Sequence, residues 1–223
     1  MSTAKGKRIG VVLSGCGYLD GAEIHEATLT LLALDRAGAA VTCMAPDISQ
    51  MHVVDHNLES PVETPSRNVL AESGRISRGE MKNIADFKAD DLDALIFPGG
   101  FGAAKNLSTL AVDGPEMSIN TDVDRLIKEM RLANKPMGFI CIAPALAAKS
   151  LGELNPTLTI GNDEGTAGAL EALGATHENC AVTDIVVDTN LKVVSTPAYM
   201  LGASSAPVTT GIDKLVEAVI DFL

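Results

Sequence analysis

Apolar and amphipathic segments alternate along the chain. The segment Ile9–Ser14 is a short apolar run that ends at a glycine, which is typical of a buried parallel strand followed by a turn. From about Ala22 to Arg36 the apolar residues recur at helical spacing, at Ile24, Ala27, Leu31 and Leu34. Gly38 is placed to end this helix, and the apolar segment Ala39–Ala45 follows it. The pattern predicts a β-α-β unit.

The alternation resumes after residue 90. The predicted elements are a strand at Leu92–Phe97, a helix from about Thr121 to Ala133, a strand at Pro136–Ile140, a helix from Ile142, an apolar stretch at Thr157–Ile160, a helix at Gly165–Leu173, a hairpin of residues 185–187 with 193–195, and a last helix at Gly211–Phe222. Strands that alternate with helices predict an α/β fold whose mainly parallel sheet is covered on both faces. Such a sheet places functional sites at the carboxyl ends of its strands.

Residues 46–90 break this regularity. They include Pro46, Pro61 and Pro65 and two of the four histidines, so we interpret the stretch as an irregular insertion. The whole chain has 223 residues, of which 46% are hydrophobic and 21% charged, as expected for a compact globular protein. We therefore predict a single domain over residues 1–223.

Composition limits the partners and the compartment. The formal charge is -12 and only 3% of the residues are aromatic, so the surface repels phosphate backbones and offers few rings for base stacking. We expect no nucleic-acid partner. We also expect no membrane partner, because no stretch approaches the roughly 20 apolar residues of a spanning helix. The first residues show no signal-peptide pattern, which predicts a cytoplasmic protein. The scattered cysteines have no CxxC pair and are predicted to be free thiols: Cys16, Cys43, Cys141 and Cys180.

The segment Gly138–Pro144, with the sequence GFICIAP, has the pattern of a nucleophile elbow around Cys141. The small residues Gly138 and Ala143 let a strand and a helix approach each other there. A thiol at this turn lies at a helix amino end, where backbone N–H groups and the helix dipole favour the thiolate. The alternative is a buried, inert cysteine, and position alone does not decide between the two.

A glycine-rich segment, Gly99–Leu107, follows the predicted strand Leu92–Phe97. Its uncovered backbone N–H groups can bind an oxyanion or a small carboxylate, although a tight turn would have the same composition. Together with Gly15–Gly17 and Cys141 it marks three strand ends. We expect these three ends to converge in space, which would give the cysteine an oxyanion hole.

The first helix carries two glutamates, Glu23 and Glu26, beside a predicted buried side marked by Ile24 and Ala27. One carboxylate can therefore point inward. If Glu26 lies near Cys141, burial would raise the pKa of its carboxyl group and make it a proton shuttle. The alternative is a solvated glutamate, because buried carboxylates are rare without a partner.

Two other sites are weaker. The segment Gly15–Gly21, with the sequence GCGYLDG, resembles a dinucleotide-binding fingerprint, but its last glycine is one residue too far along and no acidic residue follows at the expected position. The histidines do not have the arrangement of metal ligands, so no metal is expected: they are His25, His52, His56 and His177.

Several segments in order resemble the ThiJ/PfpI-type branch of the class I glutamine amidotransferase-like superfamily, and within it the ElbB-like glyoxalases. They are Ile9–Gly17, Asp20–Glu26, Gly99–Leu107, Gly138–Ala145 and Ser195–Leu201. The resemblance covers nearly the whole chain. It implies a three-layer, flavodoxin-like sandwich and a homodimer.

The same resemblance implies a chemistry that uses no cofactor. Cys141 is then the nucleophile and Glu26 its acidic partner, while the backbones of Gly99, Gly100 and Ile142 surround an oxyanion. The implied substrate is a small aldehyde: the Cys141 thiolate adds to glyoxal, Glu26 moves a proton, and water releases glycolate from a thioester.

The chain departs from the wider superfamily where many members carry a histidine after the elbow. The matching segment Leu158–Asp163 has none, and His177 is the only downstream histidine. We therefore expect little or no protease or glutaminase activity. The rival hypothesis is a non-catalytic protein whose pocket binds a metabolite, or whose Cys141 senses oxidation.

Overall fold

The computed structural model describes residues 3–63, 65–202 and 204–223. Its strands, in chain order, are β1 (Arg8–Val12), β2 (Ala40–Ala45), β3 (Val54–Asp55), β4 (Ser60–Pro61), β5 (Lys82–Asn83), β6 (Ala94–Phe97), β7 (Met137–Ile140), β8 (Thr157–Leu158), β9 (Thr176–His177), β10 (Val186–Asp188) and β11 (Val193–Thr196). Its α-helices are α1 (Ile24–Arg36), α2 (Val69–Ser77), α3 (Phe101–Lys105), α4 (Leu110–Asp113), α5 (Thr121–Leu132), α6 (Pro144–Leu151), α7 (Glu164–Ala172) and α8 (Ser205–Asp221).

Seven strands form the central sheet in the order β10-β11-β7-β6-β1-β2-β5. Every neighbouring pair is parallel except β10 with β11, which is the predicted hairpin. The carboxyl ends of β1, β6, β7 and β11 therefore meet at one edge in the middle of the sheet. The predicted α/β fold with a mainly parallel sheet, of the flavodoxin-like type, is confirmed.

Side chains of the central strands alternate between two hydrophobic clusters, because successive residues of a strand point to opposite faces. Leu95 and Phe97 belong to one cluster together with α5 and α6, whereas Ile96 belongs to the other, together with α1 and α8. On the first face Phe97 stacks on Phe139, with ring centroids 4.9 Å apart. This packing fixes the ends of β6 and β7 against each other, and the site lies at those ends.

Several predicted boundaries differ from the structure. The last helix starts at Ser205, six residues before the predicted Gly211, because Pro207 lies in its first turn, where a proline is tolerated. The predicted apolar stretch after residue 156 forms only the two-residue strand β8, paired with β9. Residues 46–90 hold β3, β4, α2 and β5, so this stretch has more regular structure than its prolines indicated.

In the described part of the chain, no helix combines the length and the hydrophobicity that a membrane crossing requires.

Candidate functional site

Cys141 follows the last residue of β7 and has a backbone φ of 63°, in the left-handed region that side chains other than glycine rarely adopt. Its backbone N–H donates to the Thr196 carbonyl at 2.9 Å, which holds the strained residue against the end of β11. A side chain at Gly138 would press on Leu215 of α8. The sharp turn before α6 thus has the geometry of a nucleophile elbow, as the sequence predicted.

The Cys141 side chain is 7% exposed, and it receives hydrogen bonds from the backbone N–H groups of Gly100 and Ile142. Burial raises the pKa of the thiol well above its ordinary value, and the neighbouring Glu26 carboxyl raises it further, while the two N–H groups lower it. Taken together, these effects raise the pKa of the Cys141 thiol. This result opposes the expectation from the sequence that the helix end favours a thiolate. The reason is the depth of the residue in the protein, which a sequence pattern does not show.

Glu26 is completely buried and faces Cys141. Its Oε2 accepts the Gly99 N–H at 2.9 Å, its Oε1 accepts the Tyr199 N–H at 3.1 Å, and its carboxyl is hydrogen-bonded to the thiol. Burial raises the pKa of this carboxyl to about 8, with a further contribution from Glu23. At neutral pH the group therefore holds a proton that it can give up, as a proton shuttle must.

The prediction that Ile24 marks the buried side of α1 is wrong, since Ile24 is 44% exposed. It is the first residue of the helix, and its side chain projects from the first turn before the helix packs on the sheet. The Glu23 carboxylate caps this end by accepting the Glu26 N–H at 2.7 Å. Glu26 and Ala27 occupy the buried face instead.

The three predicted strand ends converge. Phe101 N–H donates to the Tyr18 carbonyl at 2.7 Å, and Glu23 N–H donates to the Gly99 carbonyl at 2.9 Å. A Cβ atom at Gly99 would overlap that of Cys141 and lie 2.8 Å from Glu26 Oε2. Only a glycine fits there. Because the Gly99 N–H is bound to Glu26, the amides that face the sulfur are those of Gly100 and Ile142, so Gly99 holds the carboxylate rather than the predicted oxyanion.

Two glycine amides of the Gly15–Gly21 loop are already occupied by hydrogen bonds within the protein. Gly15 N–H donates to Ser73 Oγ at 2.9 Å, and Gly17 N–H donates to the Ala22 carbonyl at 3.0 Å. A dinucleotide site needs such glycine amides free to meet a pyrophosphate. The structure therefore opposes the dinucleotide interpretation.

A cavity of about 380 Å³ opens above the sulfur of Cys141. It is mostly apolar, and its walls are formed by Tyr18, Glu23, Gly100, Phe101, Cys141, Ile142, Thr166, Tyr199 and Met200. Sequence reasoning missed Tyr199, which follows the end of β11. The missed signal was that β11 is a fourth parallel strand next to β7, so its carboxyl end had to lie beside the elbow.

Two histidines, His56 and His177, accept backbone hydrogen bonds away from the cavity, and a third, His25, lies beside it. His177 Nε2 accepts the Ile160 N–H at 3.3 Å, and burial lowers the pKa of its imidazole. His56 Nε2 accepts the Leu19 N–H at 3.3 Å. His25 lies beside the cavity, where its Nδ1 is 2.8 Å from the Tyr199 hydroxyl. Within the described ranges, no group of three His, Cys, Asp or Glu side chains could hold a metal ion.

This chain is similar in sequence to known proteins. No family model matched the chain. It is 49% identical to the rat mitochondrial ES1 protein homolog, over 96% of this chain and 83% of that protein. It is 48% identical to the human mitochondrial glutamine amidotransferase-like class 1 domain-containing protein 3, over 96% of this chain and 82% of that protein. Both alignments span the elbow, the glycine-rich segment and α1.

The fold of this chain is also similar to solved structures. A crystal structure of an isoprenoid biosynthesis protein with an amidotransferase-like domain from Ehrlichia chaffeensis superposes with a TM-score of 0.90 at 35% identity, covering 97% of this chain and 99% of that one. A DJ-1 superfamily protein from Agrobacterium tumefaciens superposes with a TM-score of 0.55 at 20% identity, covering 94% and 90% of the two chains. The second similarity concerns the fold alone.

The prediction of a cytoplasmic protein is wrong by these comparisons. The rat, human and zebrafish relatives are all named as mitochondrial. The prediction rested on the lack of a secretory signal pattern and of a long apolar segment. These features separate secreted and membrane proteins from the rest, but they do not distinguish one aqueous compartment from another.

Proposed function

The chain belongs to the ES1-like family of the class I glutamine amidotransferase-like (DJ-1/ThiJ/PfpI) superfamily, and we propose that it is a cofactor-independent glyoxalase. In this reaction a small 2-oxoaldehyde becomes a 2-hydroxy acid, with glyoxal giving glycolate. The observation that carries the proposal is the hydrogen-bonded pair of Cys141 and Glu26 at the floor of a small, mostly apolar cavity. A nucleophile and a proton carrier in contact are what this chemistry needs.

The first half of the reaction forms a carbon–sulfur bond. The Cys141 sulfur attacks one aldehyde carbon of glyoxal, the π electrons of that carbonyl move to its oxygen, and the thiol proton reaches this oxygen by way of Glu26. The N–H groups of Gly100 and Ile142, which contact the sulfur, lie where they can stabilise the charge that develops on the oxygen. The product is a hemithioacetal.

The second step is an internal redox exchange. Glu26 takes the proton from the carbon bonded to sulfur and returns it to the neighbouring carbon, while the hydroxyl proton passes to the neighbouring oxygen. The first carbon is oxidised to a thioester and the second is reduced to an alcohol, so no external oxidant is required. Water then cleaves the thioester and frees the thiol. A carboxyl whose pKa is about 8 can both donate and accept protons near neutral pH.

The alternative is a metabolite-binding or redox-sensing protein on the same fold. A redox sensor needs an exposed thiol of low pKa. Cys141 is 7% exposed, and burial raises the pKa of its thiol, so its surroundings do not match those of a redox sensor.

The test is the rate of glycolate formation from glyoxal by the purified protein without added thiol or metal. We expect turnover that falls at least about 1000-fold in Cys141→Ser, the scale on which removal of a nucleophile acts. Cys180→Ser is the matched control, because its half-buried thiol donates to the neighbouring Ala181 carbonyl and does not line the cavity at Cys141. Equal turnover in the Cys141→Ser variant and the wild type would refute the nucleophile. No turnover in the wild type would refute the glyoxalase.

A further inference from the structure

Hydrolysis of the thioester needs a proton acceptor besides Glu26, because Glu26 has to protonate the leaving sulfur. Cleavage consumes one water and releases two protons, one to the regenerated thiol and one to solvent. Glu26 is fully buried, and its two oxygens accept the Gly99 and Tyr199 N–H groups. The segment after the elbow, Leu158–Asp163, has no histidine. The second proton therefore needs another acceptor and a route out of the cavity.

Tyr199 is placed to provide this route. It belongs to a short 3-10 turn after β11, and its backbone N–H holds Glu26, so its position is tied to that of the proton shuttle. Its ring lines the cavity above Cys141. It also lines a second cavity of about 550 Å³, which shares Tyr18 and Glu23 as wall residues with the first. Tyr199 thus lines both cavities.

The hydroxyl of Tyr199 is connected to solvent through His25. The phenol oxygen is 2.8 Å from His25 Nδ1, and the His25 side chain is 63% exposed. Glu23 Oε1 lies 4.0 Å from the same nitrogen, so an acidic side chain lies beside the ring. Burial, followed by the charges of Glu23 and Glu26, raises the pKa of the Tyr199 phenol, so its oxygen keeps its proton for transfer. The Tyr199 hydroxyl can therefore give its proton to His25 only when it accepts another proton.

We propose that Tyr199 and His25 form the proton-transfer pair of the thioester hydrolysis, a role that rests on the proposed glyoxalase function. Water attacks the thioester carbon, its proton moves to the Tyr199 oxygen, and the Tyr199 proton moves to His25 Nδ1. The tetrahedral intermediate collapses, the carbon–sulfur bond breaks with its electron pair on sulfur, and the sulfur is protonated through Glu26. The imidazolium beside Glu23 then loses its proton to solvent. Tyr199 is the catalytic residue of the pair, and His25 acts through it.

The experiment is pre-steady-state turnover of glyoxal by Tyr199→Phe and His25→Asn, with the protein species identified by intact mass spectrometry. We expect a rapid burst of one glyoxal per site, followed by a steady state slowed about 100-fold, the lower end of the usual effect of a general base. A glycolyl thioester on Cys141 should accumulate, and KM should fall with kcat. The double variant should be no slower than the slower single variant, because the two residues act as one unit.

Tyr18→Phe is the matched control, since it removes the hydroxyl of the other tyrosine that lines the cavity, which donates to Glu59 instead of to an imidazole. It should accumulate no thioester, whatever its KM. Active Tyr199→Phe and His25→Asn without a burst or a thioester would overturn the inference and leave the glyoxalase standing. Slow variants without a thioester would also overturn it, because the defect would precede hydrolysis. A wild type without Cys141-dependent turnover would refute both.

Discussion

Two buried thiols, Cys43 and Cys141, show that burial alone does not make a reactive site. Cys43 lies within β2 opposite Val11, and Cys141 follows β7. Their exposures are 8% and 7%. Burial alone raises the pKa of Cys43 to about 11, whereas Cys141 also has a carboxyl and two backbone N–H groups around its sulfur. Burial by itself makes an inert thiol, and the turn at the strand end supplies the reactive surroundings.

The backbone explains the difference. Cys43 lies within β2, where this strand pairs with β1, and burial alone raises the pKa of its thiol. At the end of β7 the chain turns through a positive φ, and the loop after β6 brings its own N–H groups across. Four strand ends then contribute to one cavity. The difference between the two thiols can be tested by changing Glu26, Gly99 or Cys43 one at a time.

The largest expected effect comes from Glu26→Gln. Turnover of glyoxal should fall by about 100- to 10,000-fold, because the amide cannot carry the proton. Alkylation of Cys141 by iodoacetamide should become faster at neutral pH, because the Glu26 carboxyl raises the pKa of the thiol. Cys43 should react as it does in the wild type. Slower alkylation of Cys141 in the variant would show that the carboxyl promotes the thiolate. It would contradict the conclusion that Glu26 raises the pKa of the thiol.

Gly99→Ala should have the next largest effect. The new methyl group would overlap Cys141 and lie 2.8 Å from the Glu26 carboxylate, so the pair must separate. We expect a loss of about 1–3 kcal/mol in the free energy of unfolding, together with a loss of turnover. Gly168→Ala in α7 is the matched control, since nothing lies within 4 Å of its added methyl group, and it should gain about 0.5–1 kcal/mol. Urea unfolding measures both. A Gly99→Ala variant with normal turnover would contradict the contact.

Stability should depend on pH through Glu26. Burial raises the folded-state pKa of this carboxyl to about 8 from an ordinary value of 4.5. Between these values the unfolded chain ionises while the folded protein keeps the proton, so the contribution is complete below pH 4.5 and is lost as pH rises toward 8. We expect the Tm of the wild type to fall over this range by at least about 2–4 °C more than that of Glu26→Gln. Parallel Tm curves for the two proteins would refute the shift.

The smallest effect is expected at Cys43. Cys43→Ala removes one sulfur atom beside an open surface cavity, so the free energy of unfolding should change by no more than about 1 kcal/mol, and turnover should not change. Chemical unfolding and glycolate assays check both. A large loss of activity would show that the Cys43 thiol also contributes to the reaction, so the two buried thiols would no longer differ in function.

The sequence predicted the central strands, the hairpin and α1 because their hydrophobic periods are local. It was less accurate where tertiary packing decides. Ile24 has an apolar side chain but is exposed at the start of α1, whereas Glu26 has an ionisable side chain but is buried. In residues 46–90 the strands have two residues each, too few for a period to show.

The sequence by itself determined the residue types of the site and the elements that carry them, since an apolar strand that contains Gly138 and ends just before Cys141 indicates a turn at that cysteine. Tertiary structure alone decided their chemistry. Strand order brought Tyr199 beside the elbow, packing buried Glu26 and raised its pKa, and the Gly99 N–H turned to the carboxylate instead of the oxyanion. The physical reason is that burial and hydrogen bonding depend on groups far apart in the chain, here residues 26, 99, 141 and 199.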